Sequence, residues 1–127
     1  MAGTIVTDAI RSELSTPTVF RNTSGTEIGQ LCRAWVTWTG STGAVLASFN
    51  ISSITRVAGG QWRPNFSNSL SDANHASTAC GSSSGNYQSQ GGYSSFPLSS
   101  SQGQIGGYNS NTNSASDIGT MMASYFR

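Results

Sequence analysis

One histidine, His75, lies close in sequence to Asp72 in a chain rich in serine, and these are the residue types of a Ser-His-Asp relay. Such a relay needs His75 against a serine hydroxyl, with Asp72 or Asp117 behind it. Where serine is this abundant, that combination arises by chance. The contexts that mark working sites are missing: there is no G-x-S-x-G elbow, no pair of glutamates at a strand end, and no glycine-rich loop carrying a lysine, because the sequence has no lysine. Glycoside hydrolysis normally needs two carboxyl groups at close quarters, and the acids here are scattered. Cys32, Cys80 and His75 lack the spacing of a zinc knuckle. The sequence therefore reads as that of a non-enzyme with no metal and no cofactor.

Aromatic residues are the remaining source of specific chemistry, and they fall into two groups. Trp35, Trp38, Phe49, Trp62 and Phe66 recur at strand period in the best-patterned stretch, which assigns them to the core. Tyr87, Tyr93 and Tyr108 sit instead among Gly, Ser, Asn and Gln. That is the composition of recognition loops, where tyrosine supplies contact area at small entropic cost while its small neighbours adapt. These three tyrosines are the candidate ligand-binding residues.

The elements that must position them are strands. "RAWVTW" puts Ala34, Val36 and Trp38 on one face and Arg33, Trp35 and Thr37 on the other, the period of two of a strand covered on both sides. "TGSTG" is a hairpin connection. In "AVLASFNISSITRV", Val45, Ala47, Phe49 and Ile51 are in phase and Ile54 is not, which predicts a bend or bulge near Ser52 and Ser53. "AGG" turns into "QWRPNF", where Trp62, Pro64 and Phe66 share a face. Pro64 cannot donate to a ladder and so predicts an edge strand or a neighbouring bulge. "NSLSDAN" is a loop and "HASTAC" a short strand. Residues 1–31 read as an extended arm, because the β-branched start of "TIVTDAIRSEL" and Pro17 disfavour a helix there. Residues 81–117 are nearly free of aliphatic side chains. The apolar "DIGTMMASYFR" that follows predicts a closing strand, which obliges the segment before it to form ordered loops or short polar strands.

Composition limits what one copy can bury. Hydrophobic residues make up 35 % of the 127, against about 45–50 % in a typical globular domain. The deficit is filled by Ser, Thr, Asn and Gly rather than by charge, which predicts contacts between chains. The six arginines and five acids leave a formal charge of +1, and the arginines are dispersed, so no nucleic-acid footprint is expected. No apolar run approaches the ~20 residues that cross a bilayer, and no basic stretch precedes an apolar one at the start. The expectation is a cytoplasmically made chain with Cys32 and Cys80 as free thiols.

The ordered elements "RAWVTWTG", "LASFNISSIT", "GGQWRPNFS" and "LSDANH" resemble a recurring module of tailed-phage tail-fibre and related virion proteins, especially those of cyanobacterial and marine phages. That module runs "kAWV-F-g-g", "i--SfNVssit", "d-g-G-y-vnFt". The resemblance covers Cys32 to Cys80, with "TSGTEIGQL" similar to the family's lead-in. Trp62 replaces the family's usual tyrosine, Pro64 enters the strand, and His75 stands where an aromatic is common. The resemblance implies a non-catalytic, typically homotrimeric virion part.

Together these readings give an all-β chain: a small antiparallel β-sandwich or barrel-like domain with an extended N-terminal arm, in an intertwined homotrimer. Residues 1–31 are the arm, docking to other virion proteins or wrapping the trimer. Residues 32–127 are the β domain, with the family-like module at 32–80 and Gly/Ser/Tyr-rich loops and a closing strand at 81–127. The expected role is that of a tail fibre or fibre-associated adhesin on the virion exterior, holding a host surface glycan. The alternative is a capsid cement or head-fibre protein. A glycan-cleaving enzyme comes third.

Overall fold

The computed structural model describes residues 19–82, 93–109, 114–117 and 119–127. Their regular structure is entirely β: β1 (Val19–Arg21), β2 (Glu27–Gln30), β3 (Cys32–Thr39), β4 (Val45–Phe49), β5 (Ile51–Ala58), β6 (Gln61–Phe66), β7 (Ala76–Ser82), β8 (Tyr93–Ser99), β9 (Gln102–Asn109), β10 (Ser114–Ala115) and β11 (Thr120–Phe126). The chain divides into two units between Leu31 and Cys32.

In the first unit β1 and β2 pair as an antiparallel hairpin. Asn22 closes its turn, its Oδ1 accepting the amides of Ser24 at 3.0 Å and Thr26 at 2.9 Å, the Asx geometry that makes asparagine a turn residue. The described part of the expected arm is thus a β-ribbon, while the extended path expected for residues 1–18 lies outside the described residues.

The second unit holds two antiparallel sheets. One has the order β4-β3-β11-β7; the other runs β10-β9-β6-β5, with β8 also paired to β9. Alternation in β3 and β11 sends matched residues inward, Trp38 opposite Met121, Val36 opposite Ala123 and Ala34 opposite Tyr125. Trp62, Phe66, Leu70 and Ile105 from the other sheet and its flanking loop complete one shared core. The closing strand is therefore not peripheral: β11 lies between β3 and β7 and supplies three core side chains.

The chain passes from one sheet to the other at Asn50, where φ is +55°. Asparagine tolerates this left-handed conformation and its side chain uses it. Nδ2 donates to the carbonyls of Arg33 and Asn68 at 3.1 and 3.0 Å, and Oδ1 accepts the amide of Asn68 at 2.8 Å. The expected division of this stretch thus comes at Asn50, with a bulge following between Ile51 and Ser53.

Two expectations are corrected. Of the two alternatives for β6, an edge or a neighbouring bulge, the edge is wrong: β6 lies between β5 and β9, and its pairing with β5 is irregular between Ile51 and Ser53 and between Arg56 and Ala58. Pro64 is accommodated because it faces Ile54 on β5, while the ladder to β9 opens between Trp62 and Asn65. Trp35 and Phe49 are not core. They are cross-strand partners on the outer face of the four-stranded sheet, 38 % and 54 % exposed. The alternation that buries Trp38 necessarily turns Trp35 outward. Trp38, Trp62 and Phe66 are buried as expected.

Candidate functional site

The outer face of the sheet containing β5, β6, β9 and β8 is a grid of amides and hydroxyls. In β9, Gly103, Ile105 and Gly107 point inward and are buried, which places Gln102, Gln104, Gly106 and Tyr108 on the outer face. Register aligns these with their neighbours: Gln61, Gly106 and Ser94 form one row, and Ser53, Asn65 and Gln102 another. Between them, Thr55 faces Arg63 and Phe96 faces Gln104.

Side chains bridge the ladder that Pro64 interrupts. Arg63 Nε donates to Gln104 Oε1 at 3.3 Å, and Gln102 Nε2 donates to Asn65 Oδ1 at 2.6 Å. Asn65 Nδ2 in turn donates to Ser53 Oγ and Thr55 Oγ1, each at 2.9 Å. Mutual hydrogen bonding of this kind fixes planar amides in advance of any ligand, removing part of the ordering cost of binding.

At one end of the grid the surface dips into an open groove of about 380 Å³, lined by Gly60, Gln61, Ser94, Gly106, Gly107, Tyr108 and Ala115. Gly106 makes its floor: a Cβ there would lie 2.5 Å from Ser94 Oγ. Tyr108, 39 % exposed, forms part of its wall. A shallow, open depression of this shape can hold a small polar ligand or one unit of a polymer; it does not enclose a substrate or exclude water as a catalytic pocket does.

Asp117 fixes the groove's other wall. Its Oδ1 accepts the Gly60 amide at 2.8 Å and Trp62 Nε1 at 3.2 Å, while Oδ2 pairs with the Arg56 guanidinium. Burial raises the Asp117 pKa, but the Arg56 hydrogen bond, the Gly60 amide, the Arg56 charge and Trp62 together outweigh it and hold the carboxyl below its usual 3.8. The adjoining Ser116 amide donates to the Gly107 carbonyl at 3.1 Å, and the Gly107 amide to the Gly60 carbonyl at 2.7 Å. Only glycine suits position 60. Its φ is +68°, and a Cβ would strike Gly107 O and Ser116 N.

Of the three candidate tyrosines, Tyr108 is the one whose described side chain lines the groove. The Tyr93 backbone pairs with Gly107 on the neighbouring strand, and Tyr87 lies outside the described residues. Sequence reasoning missed Gln61, Arg63, Asn65, Gln102, Gln104, Ser94 and Phe96. The usable signal was the alternation Gln102, Gln104, Gly106, Tyr108, hidden because two of its inward partners are glycines. Gly103 has no side chain because Tyr125 occupies that space.

The residues that suggested a relay are apart from all this. His75 is buried with its ring edge-on to Phe66 and Tyr125, centroids 5.7 and 5.5 Å away, and neither ring nitrogen has a hydrogen-bond partner. Burial lowers its pKa from 6.5, partly offset by Asp72. It packs as an aromatic. Asp72 pairs instead with Arg127. Both cysteines are free thiols, on strands β3 and β7, which flank β11. Among the described residues no cluster of three or more His, Cys, Asp or Glu could hold a metal. Comparison with protein-family models, curated proteins and solved structures finds no match to this chain.

Proposed function

We propose that the chain is a non-enzymatic structural protein of a tailed-phage virion, a tail fibre or fibre-associated adhesin that contributes to attachment to the host surface. The observation that carries this reading is the groove over Gly106, open to solvent and walled by Tyr108, beside a hydrogen-bonded amide grid on a sheet whose other face is core. A rigid sheet presenting fixed polar side chains can recognise a surface glycan without a catalytic group. The two described aspartates are each paired with an arginine and the histidine is enclosed by aromatics, an arrangement suited to holding a fold.

Weak single sites suffice if the protein is a homotrimer displayed in several copies, since multivalency raises avidity by roughly 10²–10⁴. Association finds support in the outer face of the four-stranded sheet. Its rows Phe49, Trp35, Ser124, Thr78 and Ala47, Thr37, Met122, Cys80 carry no charge. On this reading residues 1–31 dock to other virion proteins, and the protein is made in the host cytoplasm and ends on the virion exterior. The same uncharged rows favour, as a second reading, a cement or head-fibre protein seated on the capsid.

Antibody labelling of intact particles, together with binding of fluorescent protein to host cells, tests the proposal. Attachment predicts label on the tail, cell binding by the free protein, and loss of that binding in Tyr108→Ser. Label on the capsid shell with no cell binding would establish the cement role instead.

A further inference from the structure

The polar grid has one feature that plain glycan binding does not require. Among the described residues Arg63 is the one charge in the grid's rows, apart from the Arg56–Asp117 pair at the groove wall, and it is partly buried between Thr55 and Gln104. Its Nε is committed to Gln104, and among the described residues its Nη groups have no carboxylate: the ion pairs there are Arg56 with Asp117 and Arg127 with Asp72. A guanidinium withdrawn from water without a counter-ion is costly in the free protein, and a ligand anion removes that cost. The fork of Nη donors matches a carboxylate in bidentate geometry. A single cation is a poor match for a polyphosphate, which calls for clustered positive charge.

The surroundings specify what carries the carboxylate. Gln61, Ser94 and Gln102 offer both donors and acceptors, as hydroxyl groups require, while the Asn65 amide hydrogens are taken by Ser53 and Thr55. Phe96, 43 % exposed and opposite Gln104, presents an apolar ring surface across Gln104 from the cation, two strands away. The groove floor at Gly106 is the next outward position along β9, about 7 Å away at strand rise. A hydroxylated ring could occupy the groove while its neighbour's carboxylate meets Arg63.

We propose that this face binds an acidic saccharide, with Arg63 pairing its carboxylate, Phe96 supporting its ring, and the groove over Gly106 taking the adjacent sugar. The assignment rests on the attachment reading above and names the ligand class for the same site.

The test uses the full chain and two acidic probes, trigalacturonate and sialyllactose, with galactotriose and lactose as uncharged counterparts. Binding is read by amide and guanidinium chemical-shift titration to millimolar concentration. At least one acidic probe is expected to shift Arg63 Nε–H, Gln104, Phe96 and Gly106, and to bind about tenfold or more tightly than its neutral counterpart. Arg63→Gln, checked for an unchanged melting temperature, is expected to erase that preference. The proposal is overturned if neither acidic probe shifts these resonances, if the neutral counterparts bind equally well, or if Arg63→Gln keeps the preference. Equal shifts from sodium acetate would overturn the saccharide and leave only an anion site. Cell attachment separates the two levels: an Arg63→Gln protein that attaches normally, where Tyr108→Ser does not, overturns the acidic-sugar assignment alone. Normal attachment by both variants ends the attachment reading as well.

Discussion

Replacing Asp117 with alanine removes the clasp that holds residues 114–117 against the groove. Two neutral donors lose their acceptor, the Gly60 amide and the Trp62 indole N–H, both on buried residues. Each loss costs about 1–1.5 kcal/mol when the donor cannot be fully resolvated. The Arg56 pair adds little, about 0–1 kcal/mol, because the Arg56 side chain is half exposed and solvent screens it. The total is about 2–4 kcal/mol, or roughly 8–15 °C in melting temperature for a domain of this size. Asp117→Asn keeps an oxygen for Gly60 and Trp62 and loses only the ionic part, so it should cost about 1 kcal/mol or less. Urea denaturation of the three proteins at neutral pH, with equal m-values, measures both numbers. The pH dependence has a definite sign. Because the folded Asp117 pKa lies below the unfolded one, its contribution is present above about pH 4 and disappears as pH falls through the lower folded value. If Asp117→Ala melts within 0.5 kcal/mol of wild type, the clasp does not hold the segment. If Asp117→Asn is as damaging as Asp117→Ala, the ion pair dominates and the hydrogen-bond reasoning is wrong.

Further outcomes follow from the same geometry. Trp38→Ala, which empties a fully buried site, should cost about 3–5 kcal/mol, whereas exposed Phe49→Ala should cost under about 1 kcal/mol in an isolated chain. A larger, concentration-dependent loss for Phe49→Ala, with light scattering reporting a trimer, would mean that this face is covered by another copy. Asn50→Ala should cost about 2–4 kcal/mol through left-handed strain and lost hydrogen bonds, and Asn50→Gly should recover the strain part alone in thermal melts. His75 is held neutral by burial, so its contribution is complete above pH 6.5 and declines as pH falls toward the lowered folded value. His75→Phe should flatten stability between pH 5 and 7, and an unchanged slope would assign that dependence to other groups.

How much of this was legible in the sequence depends on where bulky side chains alternate. β3, β6 and β11 announce themselves because Val36 and Trp38, Trp62 and Phe66, and Met121 and Tyr125 recur at period two. The corner at Asn50 was half legible, since the phase break was visible but its left-handed backbone was not. Trp35 and Phe49 show the limit of composition: an aromatic at strand period fixes a face, and only sheet pairing decides which face is covered. The site itself was the least visible. β8 and β9 read as loops because inward positions such as Ser95, Gly103 and Gly107 carry no bulky side chain, leaving Ile105 alone among the core residues of β9, and because the outward positions of β9 carry amides. Tyr108 was found by its type, whereas Arg63 and Gln104 required the register that brings distant strands together.

If recognition takes place in the groove over Gly106, filling that groove abolishes it. At Gly106 a new Cβ meets the movable hydroxyl of Ser94 and no backbone, so Gly106→Val should fold, melt and associate as the wild type does. Its binding to host cells, measured with labelled protein over a concentration series, is predicted to be lost. Wild-type attachment by a folded Gly106→Val protein would mean that recognition lies outside this groove.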